Sequence, residues 1–154
     1  MRFPPVGYDE VVQTYGDAHA YLNNQMVWEE MVLRYVAVPE GLFLFAGKPV
    51  HTLRCHHLLT TAFGQVINRL AMGGLWEIEY GGTYAYRLNR NQSRNLSTHS
   101  WGIAIDINPS QCPNGSNPEL QDQRIVATFR EAGFTWGGTF KKPDPMHFQM
   151  CSGY

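Results

Sequence analysis

The stretch that most constrains this chain is Gly102-Ile103-Ala104-Ile105-Asp106-Ile107-Asn108. An extended strand sends successive side chains to opposite faces, so Ile103, Ile105 and Ile107 share one face and Ala104, Asp106 and Asn108 the other. The isoleucine face has to be core. The opposite face sets a carboxylate beside a small alanine, which leaves room for something to lie against the sheet. A carboxylate on a buried strand needs a compensating partner. His99 precedes Gly102, where the chain can turn back, so its imidazole can reach the same place.

A second segment, Pro143-Asp144-Pro145-Met146-His147-Phe148-Gln149-Met150, alternates in the same way. Phe148 and Met150 form an apolar face, while His147 and Gln149 point the other way. If this strand pairs beside residues 103–107, His99, Asp106 and His147 converge. Three nitrogen or oxygen ligands with a fourth position open is the pattern of catalytic zinc, whereas structural zinc is usually closed by four ligands, often cysteines. Asp144, held by a proline on each side, lies just before the ligand strand and can serve as a base for the attacking water.

The rest of the chain predicts one mixed α+β domain spanning 1–154, with a small antiparallel sheet packed with helices. Helices are expected at residues 9–15 and 17–28, at 54–72, and from an Asn117 N-cap with Pro118 at the first position to Gly133. The 54–72 helix carries Leu59, Phe63, Val66, Ile67 and Leu70 at helical spacing and stops at Gly73-Gly74. Extended segments are expected at 31–38, 42–45, 76–80, 83–87, 102–107, 134–136 and 147–150, with a turn at 47–49. Residues 54–154 read as the catalytic core and 1–53 as an N-terminal elaboration.

Composition removes several function classes. Net charge is −1, so no global basic field draws the chain to nucleic acid. Arg34 and Glu40 interrupt the most apolar region, so no integral membrane segment is expected. Cys55, Cys112 and Cys151 are an odd, scattered set with no C-x-x-C, which predicts neither a disulfide framework nor a thiolate zinc site. Charged residues are only 16%, and 15 glycines and 9 prolines punctuate the chain, which suits a loop-rich domain with uncharged polar groups inside. The N-terminus lacks the apolar core of a secretory signal, so the expected location is the cytoplasm.

Ser97-x-His99-x-x-Gly102-x-Ala104-x-Asp106-Ile107, followed by Asp144-x-x-His147-Phe148, closely resembles the zinc D-alanyl-D-alanine carboxypeptidase and L-alanyl-D-glutamate endopeptidase family, which includes vancomycin-resistance carboxypeptidases and phage endolysins. The upstream run Gly81-Gly82-Thr83-Tyr84-Ala85-Tyr86-Arg87 also matches, because relatives carry an arginine there that faces the substrate. The resemblance extends from about Arg54 to Phe148 and is thin before that. It implies a hedgehog/DD-peptidase type of fold and one zinc ion held by His99, Asp106 and His147. Asp144 takes the catalytic acid/base position, Arg87 contacts a substrate carboxylate or the reacting carbonyl, and Ser97 braces the substrate site. The implied partner is the peptidoglycan stem peptide, and a monomer is expected. Asp144 stands where many relatives have glutamate, and Gln149 where an acidic residue is common.

The expected activity is zinc-dependent hydrolysis of a stem-peptide amide, as an L-alanyl-D-glutamate endopeptidase acting like a phage lysis enzyme. Its rivals are a D-alanyl-D-alanine carboxypeptidase, an amidase acting on another amide, and a non-catalytic wall-binding module that keeps zinc for stability; Asp144 argues against the last. Other residues carry weaker signals. His56-His57 beside Cys55 reads as structural rather than a second metal site. Arg90 and Arg94 read as solvated charges, and Trp101 and Trp136 as core or cleft.

Overall fold

The computed structural model describes residues 2–90 and 95–154. Helix α1 (Gly7–Tyr15) and a 3-10 turn (Ala18–Tyr21) lead to α2 (Gln25–Val32). The chain then runs through β1 (Leu33–Ala37), β2 (Phe43–Phe45), β3 (Lys48–Pro49) and β4 (Thr52–His56) into α3 (Thr60–Met72). After β5 (Ile78–Gly82) and β6 (Ala104–Ile107) come α4 (Gln123–Glu131), β7 (Thr135–Trp136) and β8 (His147–Gln149).

The fold is α+β. Six strands form one sheet in the order β3-β2-β5-β6-β8-β7, and β1 pairs with β4 in a separate ribbon. The sheet is antiparallel as expected except at one neighbouring pair, β2 and β5, which run parallel. Parallel neighbours need a long crossover, and here the crossover includes β4 and α3. Residues 47–49 are less a turn than a hairpin, whose second strand pairs Lys48 with Phe45.

Helix α3 buries Phe63, Val66, Ile67 and Leu70 as its spacing demands. It starts later than expected, because Leu53 and Cys55 alternate inward along β4, and this five-residue pairing with β1 takes residues 52–56. The expected 17–28 helix breaks at Asn23-Asn24, poor helix formers, into the 3-10 turn and α2. The expected 117–133 helix is also two pieces. Asn117 caps only a 3-10 turn, and Asp122, accepting from the Arg124 N–H at 2.9 Å, caps α4. Between them Gln121 turns inward, donating to the carbonyls of Ile107 (2.9 Å) and Pro145 (3.1 Å). It thereby ties β6 to the loop ahead of β8. Residues 83–87 are not a strand; their backbone bonds go to the turn that carries His99.

One hydrophobic core includes residues from Val11 to Cys151. Ile103, Ile105 and Ile107 are all buried in it. Phe129 of α4 stacks on Phe148 with ring centroids 4.3 Å apart, which locks β8 from behind. Trp101 and Trp136 belong to the core. Their indole N–H groups donate to the carbonyls of Gly16 (2.7 Å) and Pro145 (2.8 Å). The N-terminal segment also grips the strands around Asp106: Tyr15 Oη donates to the Met150 carbonyl and Trp28 Nε1 to the Ser100 carbonyl, both at 2.8 Å.

Candidate metal centre

His99 sits on a short 3-10 turn (Thr98–Trp101) whose N-cap is Ser97, and Ser97 Oγ accepts from the His99 N–H at 3.2 Å. Gly102 closes the turn at φ 68°. A Cβ there would lie 2.6 Å from Leu33 Cδ2 and 2.9 Å from the His56 nitrogen, so both the conformation and the space call for glycine. The chain then reverses into β6. Strand β8 pairs antiparallel with β6 in a register that sets His147 directly opposite Asp106.

The three side chains meet. Asp106 Oδ2 lies 3.2 Å from His99 Nε2, and Asp106 Oδ1 lies 3.2 Å from His147 Nδ1. One nitrogen or oxygen from each of the three falls within 4.8 Å of the others. The two 3.2 Å separations are close to the ~3.3 Å edge of a tetrahedron whose corners stand about 2.0 Å from its centre, the usual Zn–N and Zn–O distance. His99 Nδ1 donates to the Thr83 carbonyl at 3.0 Å, which leaves Nε2 with a lone pair facing Asp106. That Nε2 is buried and makes no hydrogen bond. Burial opposes charge on Asp106, so its carboxylate needs positive charge beside it. A buried anion faced by an orphaned imidazole lone pair fits a cation placed among them. The donors are hard or borderline, with no sulfur, and all three cysteines are free and buried elsewhere. This set suits zinc.

Asp144 is brought beside this group. Its N–H donates to the Gly137 carbonyl at 2.9 Å, and the Asp144 carbonyl packs so closely on Gly137 that no side chain fits there. Asp144 Oδ1 is buried without a hydrogen-bond partner, and burial pushes the carboxyl's pKa up. A desolvated, unpartnered carboxyl is prepared to take and return a proton. Asp106, Asp144 and His147 open on a cleft of about 640 Å³. Arg87, Arg90, Lys141 and Lys142 line the same cleft. Arg87 is half-buried, donates to the Leu88 carbonyl at 3.2 Å and pairs with no carboxylate among the described residues.

Of the residues singled out from sequence, His99, Asp106, His147, Asp144, Arg87 and Ser97 all gather here. Arg90, expected to be a solvated charge, lies at the cleft although exposed. Arg94 falls outside the described residues. His56 is structural: its Nε2 bonds the Tyr15 carbonyl at 3.0 Å, its Nδ1 accepts from the Leu58 N–H, and burial lowers its pKa to about 4. The sequence reading missed the Thr83 carbonyl, Gln121, and the side chains of Thr98 and Gln149 behind His147. Only Gln149 carried a signal, as the polar residue sharing a strand face with His147.

Residues 90–150 match the family model described as D-alanyl-D-alanine carboxypeptidase. The matched segment is less than half of the chain but contains His99, Asp106, Asp144 and His147. No curated protein matches the chain. The matched family is one of zinc peptidases, and the chain is accordingly a metallopeptidase that acts on peptidoglycan. Among the described residues no helix is long and apolar enough to cross a membrane.

Proposed function

We propose that this chain uses one zinc ion, held by His99, Asp106 and His147, to hydrolyse the L-alanyl-D-glutamate bond of the peptidoglycan stem peptide. The observation that carries the catalytic reading is Asp144, whose buried Oδ1 has no partner and which borders the cleft beside the three metal-ligating side chains. A bound zinc ion supplies positive charge that lowers the pKa of water toward ~7 and polarises a carbonyl. Asp144 accepts the proton as the water oxygen attacks the amide carbon. It then delivers that proton to the leaving amine as the C–N bond breaks. Arg87 offers a planar fork to a substrate carboxylate or to the developing oxyanion. Ser97, capping the turn of His99, braces the substrate side of the site.

The choice of bond is supported by the cleft's charge. Four cationic side chains, Arg87, Arg90, Lys141 and Lys142, line it. A γ-linked D-glutamate carries a free carboxylate next to the bond to be cut, within a stem that bears further carboxylates. A D-alanyl-D-alanine end offers one. The second reading, D-alanyl-D-alanine carboxypeptidase, is favoured by the description of the matched family. Incubation with purified peptidoglycan, followed by mass spectrometry of the new termini, separates the two. New D-glutamate amines and clearing of a wall suspension support the endopeptidase. Free D-alanine with unchanged turbidity overturns it in favour of the carboxypeptidase.

A further inference from the structure

Thr98 and Gln149 sit behind His147, on the side of the ring away from Asp106. We propose that they form a positioning pair that holds His147 in the one tautomer able to bind a metal through Nδ1. The inference rests on the metal-centre reading, and its test needs no substrate. The donors run in one direction. Gln149 Nε2 donates to the Cys151 carbonyl at 3.4 Å, which turns Oε1 toward His147. The Thr98 hydroxyl donates to that Oε1 at 3.1 Å, and His147 Nε2 lies 2.8 Å from it. Thr98 Oγ1 is also 3.2 Å from His147 Nε2.

An amide oxygen can only accept. His147 Nε2 therefore carries a hydrogen, and Nδ1, 3.2 Å from Asp106 Oδ1, is the nitrogen left to a metal. Thr98 and Gln149 are each only 2% exposed, so water cannot readily replace either bond. Their placement follows from local structure. Gln149 stands two residues after His147 on the same strand face, and Thr98 precedes His99 on the 3-10 turn. One turn and one strand thus supply both imidazoles and the clamp on the second. The amide matters as well as the geometry. Asp106 and Asp144 already bring two carboxylates to a buried centre, and Gln149 gives an acceptor without adding a third.

The test measures zinc affinity by competition with a chromogenic chelator and reads the His147 ring by ¹⁵N–¹H correlation. Gln149→Met keeps the bulk and removes the acceptor. It should weaken zinc binding by about 10- to 100-fold, the usual cost of losing such a partner. In the zinc-bound protein the His147 Nε2–H signal should then shift and exchange faster with water. Thr98→Val should weaken zinc and Thr98→Ser should not, which keeps the question decidable if Gln149→Met does not fold. Wild-type zinc affinity with an unchanged His147 Nε2–H signal in Gln149→Met, or in Thr98→Val where the former is unfolded, overturns the clamp. A wild-type protein that takes up no zinc overturns the metal centre and the clamp together.

Discussion

Replacing Asp144 by asparagine separates the proposed base from the metal ligands. Among the described residues the group of side chains able to hold a metal is His99, Asp106 and His147, so Asp144→Asn should leave zinc stoichiometry unchanged. Its effect on folding should also be small. Asp144 Oδ1 has no hydrogen-bond partner to lose, and the amide is nearly the same shape. Burial already penalises the charged form of this carboxyl, so a neutral amide relieves a cost rather than adding one. Chemistry is the exception, because asparagine cannot take the proton from water. General acid–base groups contribute roughly 10²–10⁴-fold, which is about 2.7–5.5 kcal/mol of barrier. The measurement is a pair: metal content by elemental analysis, and the rate of stem-peptide hydrolysis at saturating zinc. The expected variant holds one zinc per chain, melts like wild type, and hydrolyses at least about 100-fold more slowly. Turnover near wild type with zinc in place would refute the assignment and move the base elsewhere in the cleft. Loss of zinc would make Asp144 a ligand.

Chelation of the wild-type protein should abolish hydrolysis and lower the melting temperature, since metal binding couples to folding; His147→Ala should behave like the chelated protein, and stoichiometric zinc in a His99→Ala, His147→Ala double variant would remove the ligand assignment. Arg87→Lys keeps the charge but loses the planar fork, so kcat/KM should fall roughly 10- to 100-fold; if lysine serves as well, Arg90 becomes the candidate clamp. His56 gives a pH effect far from the chemistry: its folded pKa of about 4 lies below its ordinary 6.5, so the unfolded chain protonates first as pH falls. Its stabilising contribution is complete above that ordinary value and is lost as pH drops toward the folded one, roughly 2 kcal/mol between pH 7 and pH 5. Urea denaturation at both pH values should show that step in wild type and a smaller one in His56→Gln; equal steps would show that another group titrates.

The parts of the fold that are legible in the sequence are those with a clean period. Residues 103–107 and 147–150 alternate at period 2, and their antiparallel pairing follows once each has an apolar face to bury. The apolar spacing of Phe63, Val66, Ile67 and Leu70 fixes α3 in the same way. The errors fall where two local signals compete. Leu53-Arg54-Cys55 can open a helix or continue a strand, and a partner 21 residues upstream, Arg34 opposite Cys55, decides for the strand. Asn117-Pro118-Glu119 is a sound helix start, but it starts only a 3-10 turn. Gln121 is drawn inward by two carbonyls that the sequence gives no means of locating.

The candidate site divides along the same line. Ligating side chains are legible because metal chemistry restricts their types and because a strand face restricts their spacing. Asp106 and His147 need only one register to meet, and that register follows from where the isoleucines and Phe148 must go. What decides which nitrogen of each histidine faces the cation is not legible. For His99 it is a backbone carbonyl, Thr83, which any residue type would provide. For His147 it is an amide oxygen, and only the fold brings Thr98 close enough to fix its orientation. Sequence patterns thus name the atoms that can bind a metal, while the hydrogen bonds behind them determine whether those atoms have a lone pair to offer. A chain with His99, Asp106 and His147 intact but without those acceptors would keep the motif and lose affinity for the metal.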